Sequence, residues 1–239
     1  MNTVKFDKKN VKMVAHRGVS GLETENTNAA FIAAGNRSYY GIETDIHQTA
    51  DGKYVLFHDG TTERVGGIAY EVEKTPFDTL RQLVLFDKNK EKERNDLRVS
   101  TLEEYISICK KYEKVAVLEL KSAFSDTQIK EICDKIAAQD YLEGTVFISF
   151  GYENLVKLRK LYPDQAAQFL ISSYQTDLID RLKAYNLDLD IHYKALTEEN
   201  VKALHEAGIK INCWTVDSVE DAERLASWGV DYITSNILE

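Results

Sequence analysis

Short β-branched runs alternate with longer amphipathic ones along almost the whole chain, and this rhythm constrains the fold most. Strand candidates are KMVAHR, GIETDIH followed closely by YVLFHD, VAVLEL, TVFISF, QFLIS, LDLDIHY, KINCWTV and VDYITS. Between them, segments such as NTNAAFIAAGNR, TQIKEICDKIAAQ and VEDAERLASWG repeat apolar residues every three or four positions, the period of a helix with one buried face. Thr101 with Glu104 has the spacing of a capping box, and Gly208 and Gly229 read as helix stops. Alternation of this kind predicts parallel strand pairing. With YVLFHD beside GIETDIH or continuing it, the pattern makes about eight β/α units, and 239 residues suit a (β/α)8 TIM barrel. The alternative is an open doubly wound sheet, weakened because no G-x-G-x-x-G follows the first strand.

Residues 60–100 break the rhythm. The segment is too long for an ordinary connection and carries Gly66-Gly67, Pro76 and the charge run DKNKEKERNDLR. It reads as a small insertion, after the second strand region, over one end of a single barrel domain spanning residues 1–239. The charge run reads as a solvated loop. Cys109, Cys133 and Cys213 are odd in number and far apart, which predicts no disulfide framework and suits a reducing compartment. The first residues, MNTVKFDKKNVKMVAHRG, lack an apolar signal core, so a cytoplasmic protein is expected. No run approaches the roughly 18 apolar residues of a membrane span. A net charge of −9 argues against a nucleic-acid groove and against anionic membranes, although a local cationic site can still take a small anion. Nothing in the pattern sets an oligomeric state.

In a barrel of this kind chemistry sits at the C-terminal ends of the strands. The first strand candidate ends in His16-Arg17, with Gly18 after it allowing a sharp turn. The second carries Glu43 and Asp45, YVLFHD ends in His58-Asp59, VAVLELK carries Glu119 and Lys121, and KINCWTV carries Trp214. Glu43 and Asp45, two apart in an extended segment, share one face, as do Glu119 and Lys121. Three carboxylates inside a barrel raise one another's pKa and are costly unless compensated. A hard divalent cation, Mg²⁺ or Ca²⁺, would resolve the cost. Ion pairing with Arg17, Lys121 or Arg64 would also do so, and spacing alone leaves both open. Two strand-end histidines suggest a general acid/base pair, and the cations beside them suit a phosphate group better than acyl transfer.

HRG at 16–18, ENT at 25–27, ETD at 43–45, T-x-DG at 49–52, HD at 58–59, LEE at 102–104, LELK at 118–121, ISF at 148–150 and WTV at 214–216 occur in order. In this ordered set the chain strongly resembles the glycerophosphodiester phosphodiesterase family. The resemblance implies a (β/α)8 barrel with an insertion after the HD motif. It also implies hydrolysis of glycerophosphodiesters to sn-glycerol 3-phosphate and an alcohol, with one divalent cation. By the same resemblance His16 and His58 are the acid/base histidines, Glu43, Asp45 and Glu119 the metal ligands, Arg17 and Lys121 phosphate contacts, and Trp214 an aromatic beside the substrate. His16 is taken as base and His58 as acid. Glu25 and Asn26 support the site.

Three places depart from the family pattern. Thr24 stands where proline is usual, and the chain ends ITSNILE, which affects contacts from the last strand. His47 shares the face of Glu43 and Asp45; a packed rim histidine is the simpler reading and a place beside the metal carboxylates the alternative. His192, at the end of DIH, is a further candidate for reaching a leaving group, and His205 reads as surface. Competing functions are a lysophospholipase D-like or sphingolipid phosphodiesterase, with FDTLRQLVLF as an apolar entry, and a catalytically silent barrel that binds phosphorylated ligands.

Overall fold

Each β-branched run buries both faces, as strands in a closed parallel sheet must. The computed structural model describes residues 2–239. In chain order the strands are β1 (Lys12–Ala15), β2 (Gly41–Gln48), β3 (Tyr54–Leu56), β4 (Ser100–Thr101), β5 (Val115–Leu120) and β6 (Thr145–Ser149). They continue with β7 (Ala167–Ile171), β8 (Asp188–His192), β9 (Ile211–Trp214) and β10 (Tyr232–Ser235). Parallel pairing runs β2-β5-β6-β7-β8-β9-β10-β1, and β1 also pairs with β2, so the sheet closes as a (β/α)8 barrel.

YVLFHD is not a barrel strand. Its core, β3, runs antiparallel to β2 through Ile46–Leu56, His47–Val55 and Gln48–Tyr54, and β4 adds antiparallel to β3. The connection explains this. Residues 49–53, with Gly52 at φ +78°, fold the chain straight back, whereas a parallel neighbour needs a crossover of a dozen or more residues. The other strand candidates supply the eight parallel strands.

Register sets what faces inward. Val14, Val117, Ile148 and Leu170 form an apolar cluster inside the barrel. At the N-terminal ends of the strands, Lys12 Nζ lies 4.6 Å from the Tyr40 ring centroid and 5.8 Å from that of Tyr232. The alternate residues face outward and pack under the helices, where Ile42, Leu118, Phe147, Leu189 and Ile211 are buried in the main core.

Several helix ends follow their sequence signals. Thr101 and Glu104 make both capping-box bonds, Gly229 ends its helix in the left-handed region, and Gly208, at φ +78°, stands two residues past the last residue of its own, after the cap Ala207. Ser125 and Gln128 make a second capping box.

Residues 60–100 build a small layer with its own apolar cluster, in which Val65, Val72, Leu80, Leu85, Leu97 and Val99 pack on Val55 and Phe57. The charge run is a mostly exposed loop, pinned by buried Leu97 and by Arg94, which pairs with Glu23 and Asp96. The three cysteines are buried and unpaired. Among the described residues no helix is long and apolar enough to cross a membrane.

Candidate active site

The register that closes the barrel brings the carboxylates together. Asp45 on β2 stands opposite Glu119 on β5, and Glu43 lies two residues earlier on the same face as Asp45. Ligand oxygens of Glu43, Asp45 and Glu119 all lie within 4.8 Å of one another, and all three residues are buried. Lys121 Nζ is 3.0 Å from Glu119 and 3.4 Å from Asp45, and Arg17 Nε is 3.5 Å from Asp45. Asn26 Nδ2 donates to Asp45 Oδ2 at 2.8 Å, and the Arg17 backbone N–H donates to Glu43 Oε2 at 2.8 Å. Arg64, by contrast, reaches none of the three.

Compensation is incomplete, because two cations face three carboxylates. Burial, then the charges of Asp45 and Glu119, pushes Glu43 well above the usual carboxylate range. Burial, then Asp45, pushes Glu119 up to about 7. Burial opposes ionisation of Asp45 too, but Arg17, Lys121 and His58 outweigh it and hold that carboxyl low. Asp45 Oδ1 has no hydrogen-bond partner. An all-oxygen donor set with excess negative charge is the chemistry that holds a hard divalent cation.

The two histidines are oriented by their Nδ1 atoms. His16 Nδ1 lies 2.7 Å from Asn236 Oδ1. Asp217 fixes the amide by accepting from Asn236 Nδ2 at 2.6 Å and from its backbone N–H at 2.8 Å. Asn236 therefore presents its oxygen, His16 carries its proton on Nδ1, and Nε2 keeps a lone pair. His58 Nδ1–H donates to Asp59 Oδ1 at 2.8 Å, and Asp59 accepts from Arg64 Nε at 2.6 Å. Arg64 also grips both oxygens of Glu25, at 2.7 and 2.8 Å, and Arg17 Nη1 donates to the same carboxylate at 2.9 Å. The insertion thereby helps to hold a catalytic candidate.

Between His16 and this network the backbone turns sharply. Gly18 has φ +75°, and a Cβ there would stand 2.6 Å from Ala30 Cβ.

Burial, then Arg17, lowers His16 to about 4. Burial also lowers His58, with Asp45 opposing and Arg17 adding. His16 is thus neutral when folded between pH 4 and 6.5, whereas in the unfolded chain it binds a proton there. Its contribution to stability is full above about pH 6.5 and is lost as pH falls towards 4. Urea unfolding across this window should therefore show a steeper acid loss for the wild type than for His16→Gln, which has nothing to titrate.

His16, Arg17, Glu43, His58, Glu119 and Trp214 all line one pocket at the C-terminal end of the barrel, with Asp45 and Lys121 directly against them. Ile148, Leu170 and Phe150 give it an apolar side. The Trp214 ring meets Phe150 edge-on at 5.6 Å and His192 at 5.2 Å. His192 is stacked on Tyr193 and does not line the pocket, so it supports Trp214. His47 is a packed rim histidine: its Nδ1–H donates to Glu73 Oε1 at 2.9 Å and so ties the insertion to β2. Thr24 donates to the Phe86 carbonyl at 2.6 Å, a loop contact, and His205 bonds Asp231 at the surface.

Sequence reasoning missed Asn236, Asp217, the Asp59–Arg64–Glu25 bridge and Asp190. The first three join residues distant in the chain. Asp190 had a signal: it stands two residues before His192 on the same strand face.

The profile of the glycerophosphoryl diester phosphodiesterase family matches residues 16–238. A glycerophosphodiester phosphodiesterase of Caldanaerobacter subterraneus is 30% identical, over 94% of this chain and 93% of its own. One of Bacillus subtilis is 29% identical, over 93% and 82%. Among solved structures, an Oleispira antarctica phosphodiesterase in complex with the product sn-glycerol-3-phosphate superposes with a TM-score of 0.84 at 26% identity, covering 98% of this chain and 96% of that one. With the family profile running almost from end to end over a closed barrel, the chain belongs to the glycerophosphoryl diester phosphodiesterase family and is a phosphodiesterase.

Proposed function

We propose that this enzyme hydrolyses glycerophosphodiesters to sn-glycerol 3-phosphate and an alcohol, using His16 and His58 as acid/base groups beside a divalent cation. The observation that carries this reading is one pocket lined by both histidines, Arg17 and two members of the buried carboxylate cluster. The names of the relatives and the product held by the Oleispira enzyme support the substrate class.

Glu43, Asp45 and Glu119 would hold the cation, Mg²⁺ or Ca²⁺. When bound, such an ion supplies Lewis-acid neutralisation of charge on the phosphate. Arg17 and Lys121 bind the remaining phosphate oxygens. His16, neutral and anchored by Asn236, offers Nε2 to take a proton from the attacking hydroxyl. His58, anchored on Asp59 through Nδ1–H, acts in its protonated imidazolium form: it gives the Nε2 proton to the departing alkoxide and is left neutral. Trp214 and Phe150 form an aromatic wall beside the reacting group.

A lysolipid substrate is disfavoured by the insertion. Leu80, Leu83 and Leu85 of the FDTLRQLVLF stretch are 0%, 8% and 1% exposed, so they close the insertion's own core and offer no apolar entry. Three buried, unpaired cysteines agree with a reducing compartment.

The deciding assay is release of sn-glycerol 3-phosphate from glycerophosphocholine, glycerophosphoethanolamine and glycerophosphoglycerol, with Mg²⁺, with Ca²⁺ and with EDTA, beside lysophosphatidylcholine. Metal-dependent release from the water-soluble diesters is expected. Turnover of lysophosphatidylcholine alone would replace this reading with the lysolipid one.

A further inference from the structure

Asp190 is a buried carboxyl for which the mechanism above has no use. It lies on the inward face of β8, in register with Leu170 on one side and Asn212 on the other. Only 2% of it is exposed, yet it lines the active-site pocket together with Glu43, Leu170 and Thr234. Its Oδ1 has no hydrogen-bond partner. No lysine, arginine or histidine among the described residues pairs with it, and it stands outside the cluster of three carboxylates. Asn212, which also bonds Thr234 at 3.0 and 3.1 Å, hydrogen-bonds the Asp190 carboxyl and so serves only part of it, leaving Oδ1 without a partner.

A second orphan belongs to another residue of the same lining. Trp214, on the neighbouring strand, lines the pocket and buries an indole Nε1–H that also lacks a partner. An unsatisfied buried acceptor and an unsatisfied buried donor are each costly, so two among the residues of one pocket call for a ligand that serves both. A hydroxyl does, because it donates and accepts.

We propose that Asp190 binds a hydroxyl of the substrate's glycerol moiety at the floor of the pocket, with the Trp214 indole N–H as the complementary donor. This assignment rests on the glycerophosphodiester reading and adds the residue that selects the glycerol side of the diester. Burial, then Glu119, holds the Asp190 carboxyl well above its usual range. Hydroxyl binding does not depend on that state: a carboxylate accepts from the hydroxyl, and a carboxylic acid can also donate to it. Ile148 and Leu170, which line the same pocket, are apolar and offer a hydroxyl no side-chain partner.

The test compares two phosphate monoesters that differ in their hydroxyls. Calorimetry would measure binding of sn-glycerol 3-phosphate and of propyl phosphate to the wild type, Asp190→Ala and Asp190→Asn, with Mg²⁺ present. The wild type should prefer the glycerol ester. Asp190→Ala should weaken sn-glycerol 3-phosphate about tenfold, the value of one hydrogen bond, and change propyl phosphate by less than about twofold. Asp190→Asn, which still donates and accepts, should stay within about threefold of the wild type for both. If Asp190→Ala does not fold, Asp190→Cys, close in volume and only a weak hydrogen-bonding group, carries the same expectation.

Equal wild-type affinities for the two esters would overturn the assignment. So would an alanine variant that keeps its affinity for sn-glycerol 3-phosphate, or one that loses both ligands equally and so reports a packing role. Absence of wild-type hydrolysis on every glycerophosphodiester would instead defeat the underlying function, while the binding comparison would still judge Asp190.

Discussion

Alanine at His16 or at His58 is expected to lower turnover of glycerophosphodiesters by about 10²–10⁴-fold and to leave the fold intact. That is the usual contribution of a positioned proton-transfer group. Both side chains sit at the pocket, part-exposed, and neither fills the core, so their removal costs little packing. The two variants should differ in what rescues them. His58, as acid, assists a poor leaving group, so His58→Ala should recover most of its loss on a 4-nitrophenyl diester, whose leaving group needs no proton. His16, as base, acts on the nucleophile, so His16→Ala should remain slow on both. Steady-state kinetics on a glycerophosphodiester and a nitrophenyl diester, with circular dichroism as the check on folding, decides this. The reverse rescue pattern would exchange the two roles, and near-normal turnover in either variant would remove that histidine from the mechanism.

The second large effect lies in the carboxylate cluster. Removing divalent ions with EDTA should abolish turnover, and Asp45→Asn should abolish it even with Mg²⁺ or Ca²⁺ present. A readout independent of activity follows from the same electrostatics. A cation that binds only the folded chain stabilises it by about 2.7 kcal/mol at a concentration 100 times its dissociation constant. Melting of the wild type should therefore rise with added Mg²⁺ or Ca²⁺, and that of Asp45→Asn should not.

Without added ions, Glu43→Gln should be as stable as the wild type or more so, because burial and the charges of Asp45 and Glu119 oppose a carboxylate at that position. The sign with pH is also set. Glu119, pushed up to about 7, supports the ion-free fold fully below about pH 4.5, and that support is lost as pH rises through 7. Ion-free protein should accordingly gain the most from added cation near and above neutral pH. A melting temperature indifferent to both ions at pH 8 would count against a metal site.

Much of the fold could be read from periodicity. A run such as VAVLEL buried on both faces, followed by a segment such as TQIKEICDKIAAQ with one apolar face, can satisfy its backbone and its apolar surface only in a parallel sheet wrapped by helices. The alternation of side chains along a strand also placed Glu43 with Asp45, and Glu119 with Lys121, before any contact was known. The periodicity misled at YVLFHD, where strand composition said nothing about direction; five residues of connection decided that.

The sequence by itself determined the barrel and the residue types at its C-terminal mouth, because both follow from local patterns of period two and period three to four. The tertiary structure alone decided how those residues are oriented. Asn236 reaches His16 across 220 positions, Arg64 links Asp59 to Glu25 from within an insertion, and Asp190 and Trp214 face one pocket from adjacent strands. Hydrogen bonds of that kind depend on strand register and ring closure. No window of the sequence short enough to show a pattern contains both partners.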